Sequence, residues 1–315
     1  MHSRSALRIV AKEVAAQSVV TLTLAHPQGL RLPDWAPGSH IDLVLPNGMT
    51  RQYSLCGDRW DAHHYRIGVL RETQGRGGSA YIHDDLRVGD AVGIGGPRNN
   101  FGLVPARRYL FIAGGIGITP LIPMIVQAEL IGVPWRLLYG GRTRSSMAFL
   151  DELARYGDRV TVLPQDVHGL LDLPTWLAEA AREQSTVYVC GPGPLLDAVE
   201  SRCAGWPAGK LRTERFVPRE QGVPIRTTAF EVELARSGGT VTVNPDTSVL
   251  DAVRTAGVAV LSSCRAGTCG TCETAVLGGV ADHRDSILTD VERTEQDRMF
   301  VCVSRACSDR LVLDL

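Results

Sequence analysis

The chain has 315 residues, 44% of them hydrophobic and 21% charged, enough for two or three domains with separate cores. A net charge of −1 removes the electrostatic case for nucleic acid, and no apolar run has the length of a membrane span. Met1 to Val10 lacks the apolar centre of a signal peptide, so the eight cysteines are expected in a reducing, cytoplasmic compartment, where thiols ligate metal.

From Leu7 to about Gly102 short alternating segments recur. Val19–Leu24, Ile41–Leu45 and Tyr65–Leu70 each suit a half-buried strand, and Pro27-Gln-Gly29, Pro37-Gly38 and Pro46-Asn-Gly48 supply turns. This spacing predicts a small antiparallel barrel. Arg51-Gln52-Tyr53-Ser54 places a cation, an aromatic and a hydroxyl on one strand, able to reach a phosphate, a flat ring and a ring nitrogen. An edge strand with a solvated arginine and a packed tyrosine is the plainer alternative. Gly75-Arg-Gly77-Gly78-Ser79 leads into a helical stretch, Ala80 to Leu86, and free N–H groups at such a start attract anions. The two motifs together point to a flavin phosphate. His63 and His64 lack ligand spacing and read as surface residues.

From about Arg107 the pattern changes to strands alternating with helices. Strands are expected at Tyr109–Ala113, Trp135–Tyr139, Arg159–Leu163 and Thr186–Cys190. Helices are expected at Leu121–Ile131, Met147–Tyr156, Thr175–Gln184 and Gly193–Cys203. Such alternation predicts a parallel sheet with ligands at the carboxyl ends of its strands. Gly114-Gly115-Ile-Gly117 and Cys190-Gly191-Pro192-Gly193 fall there. Neither is a G-x-G-x-x-G fingerprint. No acidic residue ends the second strand; Gly140-Gly-Arg142-Thr-Arg144 stands there instead. Those arginines pair a 2′-phosphate or are solvated, so this loop leaves NADH and NADPH both open.

Pro218 to Pro224 reads as a linker. Ala229–Leu234 and Thr240–Val243 alternate as a hairpin around Ser237-Gly-Gly239, and Thr247-Ser248 with Asp251 can cap a helix running to Ala256. Then comes Cys264-Arg-Ala-Gly-Thr-Cys269-Gly-Thr-Cys272, with Cys302 twenty-nine residues further on, in a strand-like Met299–Val303. The spacing C-x4-C-x2-C followed by a distant cysteine is that of plant-type [2Fe–2S] ligands. A four-cysteine zinc site, disulfides and buried free thiols are the competing readings. Zinc ribbons usually pair C-x2-C knuckles, and no secretory context favours disulfides. Cys56, Cys190, Cys203 and Cys307 are expected to be non-ligands.

Over its whole length the chain resembles the phthalate dioxygenase reductases and the related vanillate O-demethylase reductases. The residues carrying this are Arg51-x-Tyr53-Ser54, Gly75 to Ser79, Pro97-Arg-Asn-Asn-Phe101, Gly114 to Pro120, Cys190-Gly-Pro192, Glu214-x-Phe216, the cysteine set and Asp282-His-Arg-Asp285. The resemblance implies an antiparallel β-barrel FMN domain over 1–104 and a ferredoxin reductase-like α/β nucleotide domain over 105–217. A linker over 218–228 and an α+β, β-grasp-like ferredoxin domain over 229–315 follow.

It implies that Arg51 and the turn Gly77-Gly78-Ser79-Ala80 hold the FMN phosphate, with Gln52 beside them. Tyr53 stacks on the ring, Ser54 lies near the reactive nitrogen, and Gly68, Val69 and Leu70 give backbone contacts to the ring edge. Thr119 stands where nicotinamide enters, flanked by Gly114, Gly115, Gly117, Arg142, Cys190, Gly191 and Pro192. Phe216 covers the flavin until nicotinamide displaces it. Cys264, Cys269, Cys272 and Cys302 ligate the cluster. The activity implied is transfer of electrons from NADH, rather than NADPH, through FMN and the cluster to a Rieske-type terminal oxygenase or O-demethylase. A cytochrome P450 acceptor, or a non-enzymatic four-cysteine redox sensor, are the alternatives.

Overall fold

The first third folds into strands β1 (Ser5–Ala16), β2 (Val19–Ala25), β3 (His40–Val44), β4 (Thr50–Ser54) and β5 (His64–Leu70), then helix α1 (Gly78–Asp84) and strand β6 (Ala91–Arg98). The computed structural model describes residues 5–315; Met1–Arg4, part of the N-terminal stretch considered above, lie outside the described residues. The six strands form an antiparallel sheet in the order β4-β3-β6-β1-β2-β5. A bridge between Leu55 and Ile67 joins the chain leaving β4 to β5, so the sheet curls towards closure. Alternate residues point inward: Leu7, Ile9, Leu22, Leu24, Ile41, Leu43 and Ile67 are completely buried. Each such side chain contributes about 1.5–3 kcal/mol by leaving water. The α1 helix begins two residues earlier than its apolar content suggested, because Gly77 adopts a left-handed conformation (φ 78°) that lets the chain turn in at once. Its last turn is held by Lys12, whose Nζ donates to the carbonyls of Ile82, His83 and Leu86 at 2.7, 2.8 and 2.8 Å.

The next segment gives β7 (Tyr109–Gly114), α2 (Leu121–Leu130), β8 (Trp135–Gly141), α3 (Leu150–Ala154), β9 (Val160–Pro164), α4 (Gln165–His168), α5 (Leu173–Arg182), β10 (Thr186–Cys190), α6 (Gly193–Cys203) and β11 (Leu211–Glu214). Five parallel strands lie in the order β11-β10-β7-β8-β9. Every residue of β7 and β10 is buried, as parallel strands covered on both faces require. The helix expected over Met147–Tyr156 is shorter. Thr143 caps a 3₁₀ turn at Arg144–Ser146, and Phe149 sits at φ 64°, so helical geometry starts only at Leu150. Helix α5 starts two residues before Thr175, because the Asp172 carboxylate accepts the Thr175 N–H at 3.3 Å and Pro174 suits the first turn. Barrel and parallel sheet share apolar packing: Val19, Cys56 and Phe101 belong to the cluster that contains Ile118, Met124 and Phe149. They form one unit ending at Glu214, and a second runs from Arg215 to Leu315.

The second unit holds β12 (Phe230–Leu234), β13 (Thr240–Val243), α7 (Val249–Thr255), β14 (Glu273–Gly278), β15 (Ala281–Asp282), α8 (Asp290–Glu295), β16 (Arg298–Phe300), β17 (Arg305–Ala306) and β18 (Arg310–Leu313). Its main sheet is mixed, in the order β13-β12-β18-β14-β16, with β12 and β18 parallel. Helix α7 packs Val249, Leu250 and Val253 into the core with Phe230, Val232 and Leu311. The Ser248 hydroxyl accepts the Asp251 N–H at 3.0 Å at its start. Cys302 is not in a strand, as expected above, but in the turn that follows β16. The segment read as a linker is hydrogen-bonded within this unit. Arg219 N–H donates to Ser286 Oγ at 3.0 Å, Gln221 Nε2 to the Arg284 carbonyl at 2.6 Å, and Ile225 N–H to Asp282 Oδ2 at 3.1 Å.

Candidate functional site

On β4, Arg51 and Tyr53 share one face and Gln52 takes the other. The Arg51 guanidinium donates to the Thr50 carbonyl at 2.8 Å and the Arg76 carbonyl at 2.7 Å, which draws it under the glycine turn. A Cβ on Gly78 would lie 2.5 Å from Arg51 Nε, so the guanidinium rests directly on bare backbone. The first N–H groups of α1, at Gly78, Ser79 and Ala80, have no partner inside the helix. A cation with neighbouring free N–H groups fits a phosphate. Burial, and then nearby Arg76, lower the Arg51 pKa from its ordinary value, and a phosphate dianion would offset that repulsion. Gln52 is engaged elsewhere: its amide donates to Asp42 Oδ1 at 2.8 Å. Tyr53 is packed against the barrel core, and burial raises its phenol pKa. On β5 the Gly68 N–H reaches the Cys56 thiol, and the Val69 carbonyl lies 3.0 Å from His83 Nε2; Leu70 pairs with Val19 at the strand end.

The strand order of the parallel sheet reverses between β7 and β10, and a crevice outside the carboxyl ends is expected at such a switch point. Gly114 ends β7 and Cys190 ends β10. Gly115 opens a 3₁₀ turn, Gly115–Ile118, that carries Gly117 against the opposite loop. A Cβ on Gly117 would stand 2.3 Å from the Cys190 carbonyl oxygen, and one on Gly114 2.6 Å from Pro192 Cδ. Glycine is required at both by close approach. Thr119 is 2% exposed; its hydroxyl donates to the Ile116 carbonyl at 3.0 Å. Its methyl lies 2.8 Å from where a Gly68 Cβ would be, so the strand expected to edge the flavin meets the residue expected to meet nicotinamide. Arg142, past the end of the second parallel strand's core, is exposed.

One partner was missed. The carboxyl of Glu214, at the end of β11, accepts a hydrogen bond from Ser54 and lies 4.0 Å from Cys190 Sγ. Three strand ends therefore converge, from β4, β10 and β11. The carboxyl group is enclosed although the residue keeps some exposure elsewhere. Burial pushes its pKa up to about 8, against the opposing hydrogen bond from Ser54. Burial and the Glu214 carboxyl likewise push the Cys190 thiol well above its ordinary value. Phe216 lies two residues beyond Glu214 and is 42% exposed.

The Glu214 shift has a consequence for stability in the flavin-free protein. An unfolded chain releases this proton near the ordinary 4.5, the folded chain only near 8. Below 4.5 both states hold the proton and nothing changes. Between 4.5 and 8 the unfolded state is progressively favoured, and above 8 the loss is complete. Glu214→Gln is expected to flatten that decline; urea unfolding from pH 4 to 9 checks it, and identical slopes in both proteins would dismiss it.

In the second unit Cys264, Cys269, Cys272 and Cys302 are 7%, 2%, 3% and 8% exposed, so the thiols face inward together. The Cys264 sulfur accepts hydrogen bonds from Cys269 and Cys302, which hold its pKa below the ordinary thiol value, and Cys272 is held down by Cys302. The Ala266 and Thr268 N–H groups donate to Cys264 Sγ at 3.3 and 3.5 Å, and Thr271 Oγ1 lies 3.2 Å from Cys269 Sγ. Donors aimed at sulfur stabilise thiolates and favour a reduced, more negative cluster. No group of three His, Cys, Asp or Glu side chains among the described residues is arranged around a single ion. The four thiols instead contact one another in a chain, Cys269 to Cys264 to Cys302 to Cys272, close enough together for one shared cluster to take all four. Cys56, Cys190 and Cys203 lie apart, in the cores of the first unit.

A barrel with a phosphate cradle, a parallel sheet with a glycine-lined crevice and a four-thiol ferredoxin fold define a flavin and iron–sulfur electron-transfer reductase. The 2Fe-2S iron–sulfur cluster binding domain family matches residues 232–307. Phenoxybenzoate dioxygenase subunit beta of Ectopseudomonas oleovorans is 46% identical over 311 residues, 98% of this chain and 97% of that protein. The solved structure of a phthalate dioxygenase reductase, described as a modular structure for electron transfer from pyridine nucleotides to [2Fe–2S], superposes with a TM-score of 0.70 at 39% identity. That match covers 98% of this chain and 97% of the other. An intact type IV self-sufficient cytochrome P450 monooxygenase superposes with a TM-score of 0.93 at 42% identity; 99% of this chain matches 41% of that longer one. The chain belongs to the phthalate dioxygenase reductase family. It is an oxidoreductase that uses NADH, FMN and a [2Fe–2S] cluster to deliver electrons to a partner oxygenase system. No helix among the described residues is long and apolar enough to cross a membrane.

Proposed function

We propose that this reductase serves a Rieske-type terminal oxygenase or O-demethylase in a reducing, cytoplasmic compartment. The observation that carries the reading is the match along nearly its whole length to a subunit of a phenoxybenzoate dioxygenase. When bound, FMN would supply the conversion of a hydride into single electrons, and the cluster would supply a one-electron relay. The chain's own residues bind and orient. Arg51 and the Gly77–Ala80 turn would hold the phosphate, Tyr53 and the Gly68–Leu70 strand would contact the ring, and Ser54, its hydroxyl fixed by Glu214, would meet the reactive nitrogen. Gly114, Gly115, Gly117, Thr119, Arg142 and the Cys190–Pro192 loop receive the nucleotide. Phe216 is the residue proposed to cover the flavin before nicotinamide arrives. Cys264, Cys269, Cys272 and Cys302 hold the cluster.

Arg51→Ala is expected to weaken FMN by about 1.5–3 kcal/mol, the range for a hydrogen bond to a charged group. Equilibrium dialysis of the flavin measures it, and unchanged affinity would remove Arg51 from the phosphate site. The partner is tested by reconstitution. NADH-driven, stoichiometric product formation with a Rieske oxygenase supports the reading. The similarity to the self-sufficient P450 favours a second reading, a P450 acceptor; electron delivery to a P450 and to no Rieske oxygenase would replace the first with it.

A further inference from the structure

The cysteine loop, residues 264–272, contains no helix or strand, so its shape must be imposed by what it touches. The loop Asp282–Leu288 touches both halves of the ligand set. On one side, the Ser286 N–H donates to the Gly267 carbonyl at 2.9 Å. A Cβ on Gly267, which has φ 68°, would lie 3.0 Å from Asp285 Cα and 2.7 Å from Val303 Cγ2. On the other side, the Arg284 N–H donates to Ser304 Oγ at 3.2 Å, two residues beyond Cys302. One short loop thus bridges the three-cysteine stretch and the fourth cysteine.

That loop is itself held by Asp285, which is 2% exposed. Its Oδ2 accepts the N–H groups of Ile287 and Leu288 at 2.9 and 2.7 Å, closing the turn. Its backbone carbonyl accepts from Arg293 at 2.8 Å. Its Oδ1 is buried with no hydrogen-bond partner among the described residues. Buried polar atoms left unpaired are uncommon in native folds and call for a reason. The outer side of the loop is strapped by Arg219, Gln221 and Ile225 through the three hydrogen bonds given above, and by a bond from Arg284 to the Gly222 carbonyl.

We propose that Asp285 is the positioning residue of the iron–sulfur site: its carboxylate fixes the turn that clamps Gly267 on one side and Ser304 on the other. This inference rests on the four-cysteine reading. Serine at a ligand cysteine empties the site outright, so a failure of that reading is seen separately.

The test uses the full-length holoprotein with Asp285→Ala, Asp285→Asn and Gly267→Ala. Four quantities are measured: iron and sulfide per chain, the visible circular dichroism, the electron paramagnetic resonance of the dithionite-reduced protein, and the rate of bleaching under a chelator. Flavin content reports on the first unit. Asp285→Ala is expected to bleach about tenfold faster, the scale set by leaving a buried donor unpaired, with an altered resonance line shape. Asp285→Asn keeps an oxygen for the same two N–H groups and is expected to restore both. Gly267→Ala presses on the clamp from the other side and is expected to reproduce the Asp285→Ala defect. An Asp285→Ala protein with normal iron, bleaching rate and resonance would overturn the proposal. So would an Asp285→Asn protein as impaired as Asp285→Ala, since the charge and not the turn would then matter. If Asp285→Ala is recovered without iron, Asp285→Asn decides: a normal cluster there supports the clamp and an empty one ends it.

Discussion

Cys302→Ser is expected to abolish the visible iron–sulfur bands while flavin absorbance stays at one per chain. The cluster needs two thiolates on each iron, and Cys302 is the ligand proposed from outside the C-x4-C-x2-C loop. Its thiol contacts both Cys264 and Cys272 and is 8% exposed, so water has little access to the position it would leave. The flavin cradle proposed at Arg51 and Gly78 belongs to the other unit, which has its own core. NADH-to-ferricyanide activity, which needs flavin alone, should survive, and NADH-to-cytochrome c activity should collapse. The same split is expected for Cys264, Cys269 and Cys272. A normal cluster in Cys302→Ser would transfer the ligand role to Cys307, a half-buried thiol whose N–H already binds the Val280 carbonyl.

Gly117→Ala is expected to have the largest effect in the first unit. The new methyl would stand 2.3 Å from the Cys190 carbonyl oxygen, 2.4 Å from its carbon and 2.7 Å from the Gly191 nitrogen. All three are backbone atoms and cannot rotate away. The two loops must separate, at a cost of about 1–3 kcal/mol for an overpacked site. Because both loops are the ones proposed to receive the nucleotide, a displacement approaching 1 Å should lower NADH turnover on the order of a hundredfold. Gly115→Ala is the control: nothing lies within 4 Å of its Cβ, though its φ of 55° adds some strain. Stopped-flow flavin reduction by NADH, with dithionite-reducible cluster and FMN content as references, separates the two. Gly117→Ala with wild-type kinetics and melting temperature would mean that the loops tolerate the methyl and that the close approach is dispensable.

Much of this was legible because it is local. Continuous apolar runs such as Tyr109–Ala113 and Thr186–Cys190 fold as the buried parallel strands they predict, and the cysteine spacing brings four thiols together. What escaped is set by tertiary contacts. The Ser54–Glu214 pairing joins residues 160 positions apart, and nothing beside either announces the other. The late start of α3 depends on Phe149 taking a left-handed conformation, which its residue type disfavours and its buried packing imposes. Cys302 stands in a turn although Met299–Val303 reads as a strand, because β16 pairs with β14 only over Arg298–Phe300. The proline-bearing segment 218–224 has the composition of a tether, yet its backbone and side chains find partners on Asp282, Arg284 and Ser286.

The sequence has two lysines, Lys12 and Lys210. All three donors of Lys12 are committed to the end of α1, so its amine is a structural part. Lys210 immediately precedes β11, whose strand runs parallel to β10 and β7; it therefore sits at the edge of the sheet opposite the glycine crevice. A dye or an electrode surface coupled through lysine is directed to that edge, away from the strand ends where the nucleotide is proposed to bind, and gives immobilised molecules a common orientation.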